Sequence, residues 1–129
     1  MPRKRSVALT DGELPLMRVL WEKGRATVGE VVDGIGGPHK PVYNTVLTML
    51  RILEHKEYVT HGKSGRAFVY MPIIDRSQAR RSAVRHLLDR FFDNSPSLLV
   101  LNLLQQGDVD PREIERLREL IGQSQQERR

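Results

Sequence analysis

Near residue 57 the apolar residues of this chain stop recurring at helical spacing and begin to alternate. That switch falls behind three segments that each carry their own helix start and stop signals, and few folds accept such an order. Thr10 precedes an apolar-periodic run and has Glu13 three residues on, so hydroxyl and carboxylate can each accept an orphan N–H of a first turn. Leu14, Met17, Leu20 and Trp21 follow at helical spacing, and Gly24 supplies the stop. Thr27 with Glu30 repeats the box in front of Val28, Val31, Val32 and Ile35, and Gly36-Gly37-Pro38 ends that second helix. Pro41 suits the first turn of a third helix that runs to about Lys56. Beyond it, Tyr58 to His61 reads as a short strand and Gly62-Lys63-Ser64-Gly65 as a turn with a basic tip. Ala67 to Met71 reads as a second, apolar strand.

Residues 7–73 therefore spell three helices and a β-hairpin, the order of a winged helix-turn-helix domain. The rest of the chain reads as helix. Asp75 with Gln78 caps a segment whose stripe is Val84, Leu87, Leu88, Phe91 and Phe92. Ser95-Pro96 opens a shorter segment through Leu98 to Leu104, and Asp110-Pro111 with Glu113 opens a third, carrying Ile114, Leu117, Leu120 and Ile121 on one side. The end, Gln123 to Arg129, reads as a polar, frayed tail. The expected fold is mainly α with a small β-hairpin: a winged-helix DNA-binding domain over residues 1–74, then a three-helix dimerisation domain over residues 75–129.

Three short helices in about 50 residues bury too little surface to be stable alone. The middle one is apolar almost all round, which an exposed helix is not. It packs beneath the first domain or pairs with a second chain. A symmetric reader of DNA needs a fixed spacing between its two heads, which favours the second reading. Phe91, Leu98, Leu99, Leu101, Leu103, Leu104, Leu117 and Ile121 are the expected contact residues.

On a helical wheel of the third helix, Val42, Val46, Met49, Leu50 and Leu53 form a core stripe, and Lys40, Asn44, Thr48, Arg51 and His55 lie opposite. The outward row has no carboxylate, whereas ordinary exposed faces mix both signs. Asn can bond adenine bidentately, Arg can do so with guanine, and Thr offers a methyl to thymine. Asn44, Thr48 and Arg51 are thus the expected base readers, with Tyr43 and Thr45 at the edges. Lys40, Lys63, Ser64 and Arg66 suit phosphate contacts, as do Arg3, Lys4 and Arg5 at the N-terminus. Charge agrees. The chain carries 21 Lys and Arg against 16 Asp and Glu; residues 1–74 hold 11 against 7 and residues 75–129 hold 10 against 9.

Other classes fit less well. With no Cys there is neither a disulfide nor a thiolate site, and His39, His55, His61 and His86 have no ligand-like spacing, so neither metal nor cofactor is expected. No nucleophile–base pair or phosphate-binding glycine loop marks an enzyme. No apolar run reaches the length of a membrane span, and no apolar stretch follows the basic N-terminus, so a cytoplasmic protein without membrane insertion is expected. A winged-helix protein-interaction module stays open as an alternative, although its third helix should carry apolar anchors. A ligand-sensing dimer stays open too, although residues 75–129 offer only Phe91 and Phe92 as aromatics.

With those residues in place, the chain resembles the penicillinase-repressor (BlaI/MecI) family of bacterial regulators. The opening LTDGELPLMRVLWEKGRATVGEVVDGI is similar to the family's first two helices, with the Leu16-Met17 and Leu20-Trp21 pairs at its core. YNTVLTMLRILEHKEYV resembles its recognition helix and first strand, GRAFVYMP its second strand, SLLVLNLL its dimerisation segment and EIERLRELI its last helix. The resemblance implies a homodimer that sits on a palindromic double-stranded operator and blocks transcription. It also implies release by a membrane-bound sensor protease, with cleavage of an Asn-Phe bond that maps onto Asn102-Leu103. This chain has Leu where the family has Phe.

Overall fold

The start signals in the sequence become hydrogen bonds in the computed structural model, which describes residues 8–107 and 109–127. Helix α1 (Leu14–Lys23) follows a turn in which Thr10 N–H donates to Glu13 Oε1 at 2.9 Å and Glu13 N–H donates to Thr10 Oγ1 at 3.1 Å. It stops at Gly24, whose φ of 82° is open to glycine at no steric cost and whose N–H closes on the Leu20 carbonyl. Strand β1 (Ala26–Thr27) leads into α2 (Val28–Ile35). Thr27 is both the last strand residue and the cap: its N–H donates to Glu30 Oε1 at 2.8 Å, and its Oγ1 accepts the Glu30 N–H at 3.1 Å.

Helix α3 spans Tyr43–His55, so Pro41 lies outside it, contrary to the placement in its first turn. Val42 is the N-cap, with extended backbone (φ −81°, ψ 158°), and helical periodicity does not reach it. It is accordingly 66% exposed rather than part of the core stripe. Strands β2 (Val59–Ser64) and β3 (Ala67–Pro72) form the hairpin, and β1 joins its other side to give the antiparallel order β1-β3-β2. The two residues of β1 are too few for any periodic signal. The hairpin turn is shorter than its sequence suggests. Ser64 pairs with Ala67, leaving only Gly65 and Arg66 in the loop, with Gly65 at φ 64°. Lys63 and Ser64 belong to the strand because β3 supplies partners that their own polarity does not advertise.

The chain divides into two compact units, Met1–His86 and Leu87–Arg129. The first is built on Leu16, Met17 and Leu20 of α1, Val28 and Val31 of α2, and Val46, Leu50 and Leu53 of α3. Tyr58, Val59, Tyr70 and Ala79 close it. Helix α4 (Arg76–Phe91) starts in this unit, with Asp75 and Gln78 exchanging reciprocal backbone–side-chain bonds of 2.8 and 2.9 Å. Trp21 packs at the core edge, donates Nε1–H to the Ile74 carbonyl at 2.9 Å and lies under the Arg76 guanidinium.

In the second unit, α5 (Pro96–Gln105) is capped by Ser95, whose Oγ accepts the Leu98 N–H at 3.2 Å. Helix α6 (Pro111–Glu127) has Asp110 Oδ1 accepting the Arg112 N–H at 2.8 Å. It runs through Glu127, past the point where a frayed tail was expected, since Gln123 to Glu127 contain no helix breaker. Neither α5 nor α6 contains a buried residue.

Candidate nucleic-acid interface

The third helix separates two kinds of side chain. Val46, Leu50 and Leu53 are fully buried and fix its roll on the domain, so Asn44, Thr45, Thr48 and Arg51 must face outward, and all four are exposed. Tyr43, 54% exposed, stands at the start of the helix. Met49 and Leu47 are half-buried at the margins. The Thr48 hydroxyl donates to the Asn44 carbonyl at 3.0 Å. That bond leaves the hydroxyl oxygen able only to accept, and holds the Thr48 side chain in one pose. Lys40 does not share this face. It lies in the loop before α3, and its Nζ bonds Asp33 Oδ1 at 2.9 Å. Both groups are largely exposed, so this pair is weak and its lysine can be redirected.

The hairpin extends the same surface. Side chains alternate along a strand, so Val59, His61 and Lys63 share one face with their partners Pro72, Tyr70 and Phe68. Val59 and Tyr70 are buried; outward from them the face becomes polar and exposed. His61 Nδ1 lies 2.8 Å from both carboxylate oxygens of Glu54 on α3. Its ring meets Phe68 edge-on and Tyr70 at a tilt, each with centroids 5.3 Å apart. The Lys63 ammonium sits 5.4 Å from the centre of the Phe68 ring. Ser64 and Arg66 are exposed at the far end. Burial holds the Tyr70 phenol above its ordinary pKa; the carboxylate of Glu54 and the Tyr43 phenol add to that, and Arg51 opposes it. The inner edge of the hairpin and one flank of α3 thus share an electrostatic neighbourhood.

A second contact braces the other end of the helix. Lys56, its C-cap, donates from Nζ to both Glu13 oxygens at 2.8 and 2.9 Å. Burial raises the Glu13 pKa, but the Lys56 hydrogen bond, the Thr10 N–H and the Lys56 charge outweigh it, and the net shift is downward. The Thr10–Glu13 box is legible in the sequence, whereas the Lys56 and Glu54–His61 links are not. Glu13 and Lys56 are 43 residues apart and no local pattern joins them. The acidic Glu54 beside the outward row was the available hint of the second.

In the second unit, Phe91, Leu98, Leu101, Leu103, Leu104, Leu117 and Ile121 are all exposed, and Leu99 is half-buried. Asn102 and Leu103 lie inside α5, where the Asn102 carbonyl accepts the Gln106 N–H at 3.1 Å. Arg3, Lys4 and Arg5 lie outside the described residues. Among the described residues, no group of three or more acidic or histidine side chains is placed to hold a metal ion. No described helix is long and apolar enough to cross a membrane.

Three helices, a hairpin wing and an exposed polar third helix define a winged helix-turn-helix protein of the DNA-binding kind. A family model described as penicillinase repressor matches residues 9–123. The chain is 30% identical to the penicillinase repressor of Bacillus licheniformis over 92% of both chains. It is 21% identical to the methicillin resistance regulatory protein MecI of Staphylococcus aureus (strain N315), over 88% of this chain and 92% of that one. Among solved structures it resembles the DNA-binding domain of the repressor BlaI, with 35% identity, a TM-score of 0.51, and coverage of 58% of this chain and 92% of that one. The chain belongs to the penicillinase repressor family, a family of DNA-binding transcriptional repressors rather than enzymes.

Proposed function

We propose that the chain represses transcription as a homodimer on a palindromic operator, each α3 entering a major groove while each wing grips the flanking backbone. The observation that carries the reading is the outward row of α3, where Asn44, Thr45, Thr48 and Arg51 are exposed while the opposite stripe is buried. Asn44 and Arg51 are suited to bidentate base contacts, and Thr45, Thr48 and Tyr43 to methyl groups and groove walls. Lys63, Ser64 and Arg66 take phosphates, and Lys40 exchanges Asp33 for one. Such a protein works where the chromosome is, in the bacterial cytoplasm. The exposed leucines of α5 and α6, with Phe91, supply the symmetric contact. A run of unburied apolar residues on a helix of that length needs a cover, and a second copy provides it.

Release by proteolysis at Asn102-Leu103 follows from the family resemblance, with a membrane sensor protease as the agent. The Asn102 carbonyl is held within α5. A protease therefore reaches this bond only through local unwinding of the helix.

Two substitutions separate the assigned roles. Arg51→Ala costs about 1–3 kcal/mol at the operator and little on random duplex, because a lost base contact is sequence-specific. Lys63→Ala weakens both about equally and lowers the salt slope by about one unit. Identical losses on both duplexes for both variants would refute the assignment.

A further inference from the structure

We propose that His61 is a positioning residue for DNA recognition, acting through Glu54 to hold the wing and the third helix as one grip. The inference rests on the DNA-binding reading and adds to it a residue that touches no base. On β2 every residue after Val59 is exposed, and on β3 Ala67 and Phe68 are too, so beyond Val69 the outer hairpin lacks core packing to fix its angle. A two-stranded ribbon without such packing is marginal in water. The contact between His61 and Glu54 joins this outer part to α3, at 2.8 Å to both oxygens. An ionised carboxylate can only accept, so the imidazole carries its proton on Nδ1.

The tether reaches further than its two residues. The ring of His61 is seated between Tyr70, which is buried, and Phe68, which is exposed. Phe68 in turn underlies the ammonium of Lys63, two residues along the same strand face. Glu54, His61, Phe68 and Lys63 therefore form a continuous series from α3 to a phosphate-seeking cation. The same bond occupies the Glu54 carboxylate, which otherwise stands free within a Debye length of the polyanion beside Arg51. Without His61, the wing loses its registration and the Glu54 carboxylate on the helix flank loses its hydrogen-bond partner.

The test uses the full chain as His61→Ala, His61→Asn, Glu54→Gln and the double variant Glu54→Gln with His61→Ala. The probes are the duplex fragment from the region upstream of its own gene that the wild type binds most tightly, and a random duplex of equal length. His61→Ala should weaken binding to the fragment about tenfold and raise amide exchange over residues 60–71 without DNA. The amide of Asn sits where Nδ1 does, so His61→Asn should recover binding to within about threefold of wild type. The double variant should fall between His61→Ala and wild type, since the free carboxylate is removed but the tether is not restored. Unchanged binding by His61→Ala would overturn the proposal. So would a His61→Asn variant as weak as His61→Ala, which would reduce His61 to a packed ring. A wild type that prefers no fragment to random duplex would instead remove the DNA reading itself, and this inference with it.

Discussion

Glu13 is 4% exposed, and both of its carboxylate oxygens receive Lys56 while one also takes the Thr10 N–H. A buried carboxylate with that many donors is stable only as the anion, and its pKa lies below the ordinary 4.5. In the unfolded chain the proton is held more tightly. The stabilisation is thus fully present above about pH 4.5 and is lost as pH falls through the depressed folded value. Glu13→Gln should cost about 2 kcal/mol at neutral pH, since Lys56 keeps an acceptor but loses its counter-charge. The same variant should flatten the fall in stability between neutral pH and about pH 3. Urea unfolding at a series of pH values reads both; a variant as acid-sensitive as the wild type would place the titrating group elsewhere.

The elements are set by contacts of different range, and that decides which of them could be read in advance. Helix α2 was legible because its signals are local: Thr27 and Glu30 bond each other, and Gly36 stands at its end. The buried stripe of α3 and its outward row were legible for the same reason, since one periodicity gives both. The capping of Val42, the strand placement of Lys63 and Ser64, and the very existence of β1 depend on neighbours distant in sequence. Gly34 is a further case. Its place inside α2 looks like a weakness of the helix, yet an added Cβ would meet Val19 Cγ1 of α1 at 2.8 Å and Cγ2 at 3.1 Å. Those methyls sit on a stiff branch point and do not swing aside. Gly34→Ala should therefore lower stability by about 1–2 kcal/mol, overriding a propensity gain of under about 1 kcal/mol. Denaturant titration checks this; a variant more stable than wild type would mean that α1 and α2 yield freely.

Across the whole molecule, charge is unevenly divided between the two units. Residues 1–86 hold 15 Lys and Arg against 8 Asp and Glu, while residues 87–129 hold 6 against 8, which together account for the 21 and 16 of the chain. The basic excess is confined to the unit that carries the third helix and the wing. The exposed leucines of α5 are confined to the other. The basic unit suits a polyanion, and the exposed leucines of α5 suit the second copy proposed above. The most direct test measures the stoichiometry and specificity of the full chain on fragments of its own upstream region, beside Leu101→Asp, which puts a charge into the apolar surface of α5. The account predicts two wild-type chains per fragment and a preference of about a thousandfold over random duplex. It predicts a folded, monomeric Leu101→Asp variant that binds about a hundredfold more weakly, because its two heads are no longer linked. Wild-type chains that bound singly, with no preference between fragment and random duplex, would contradict it.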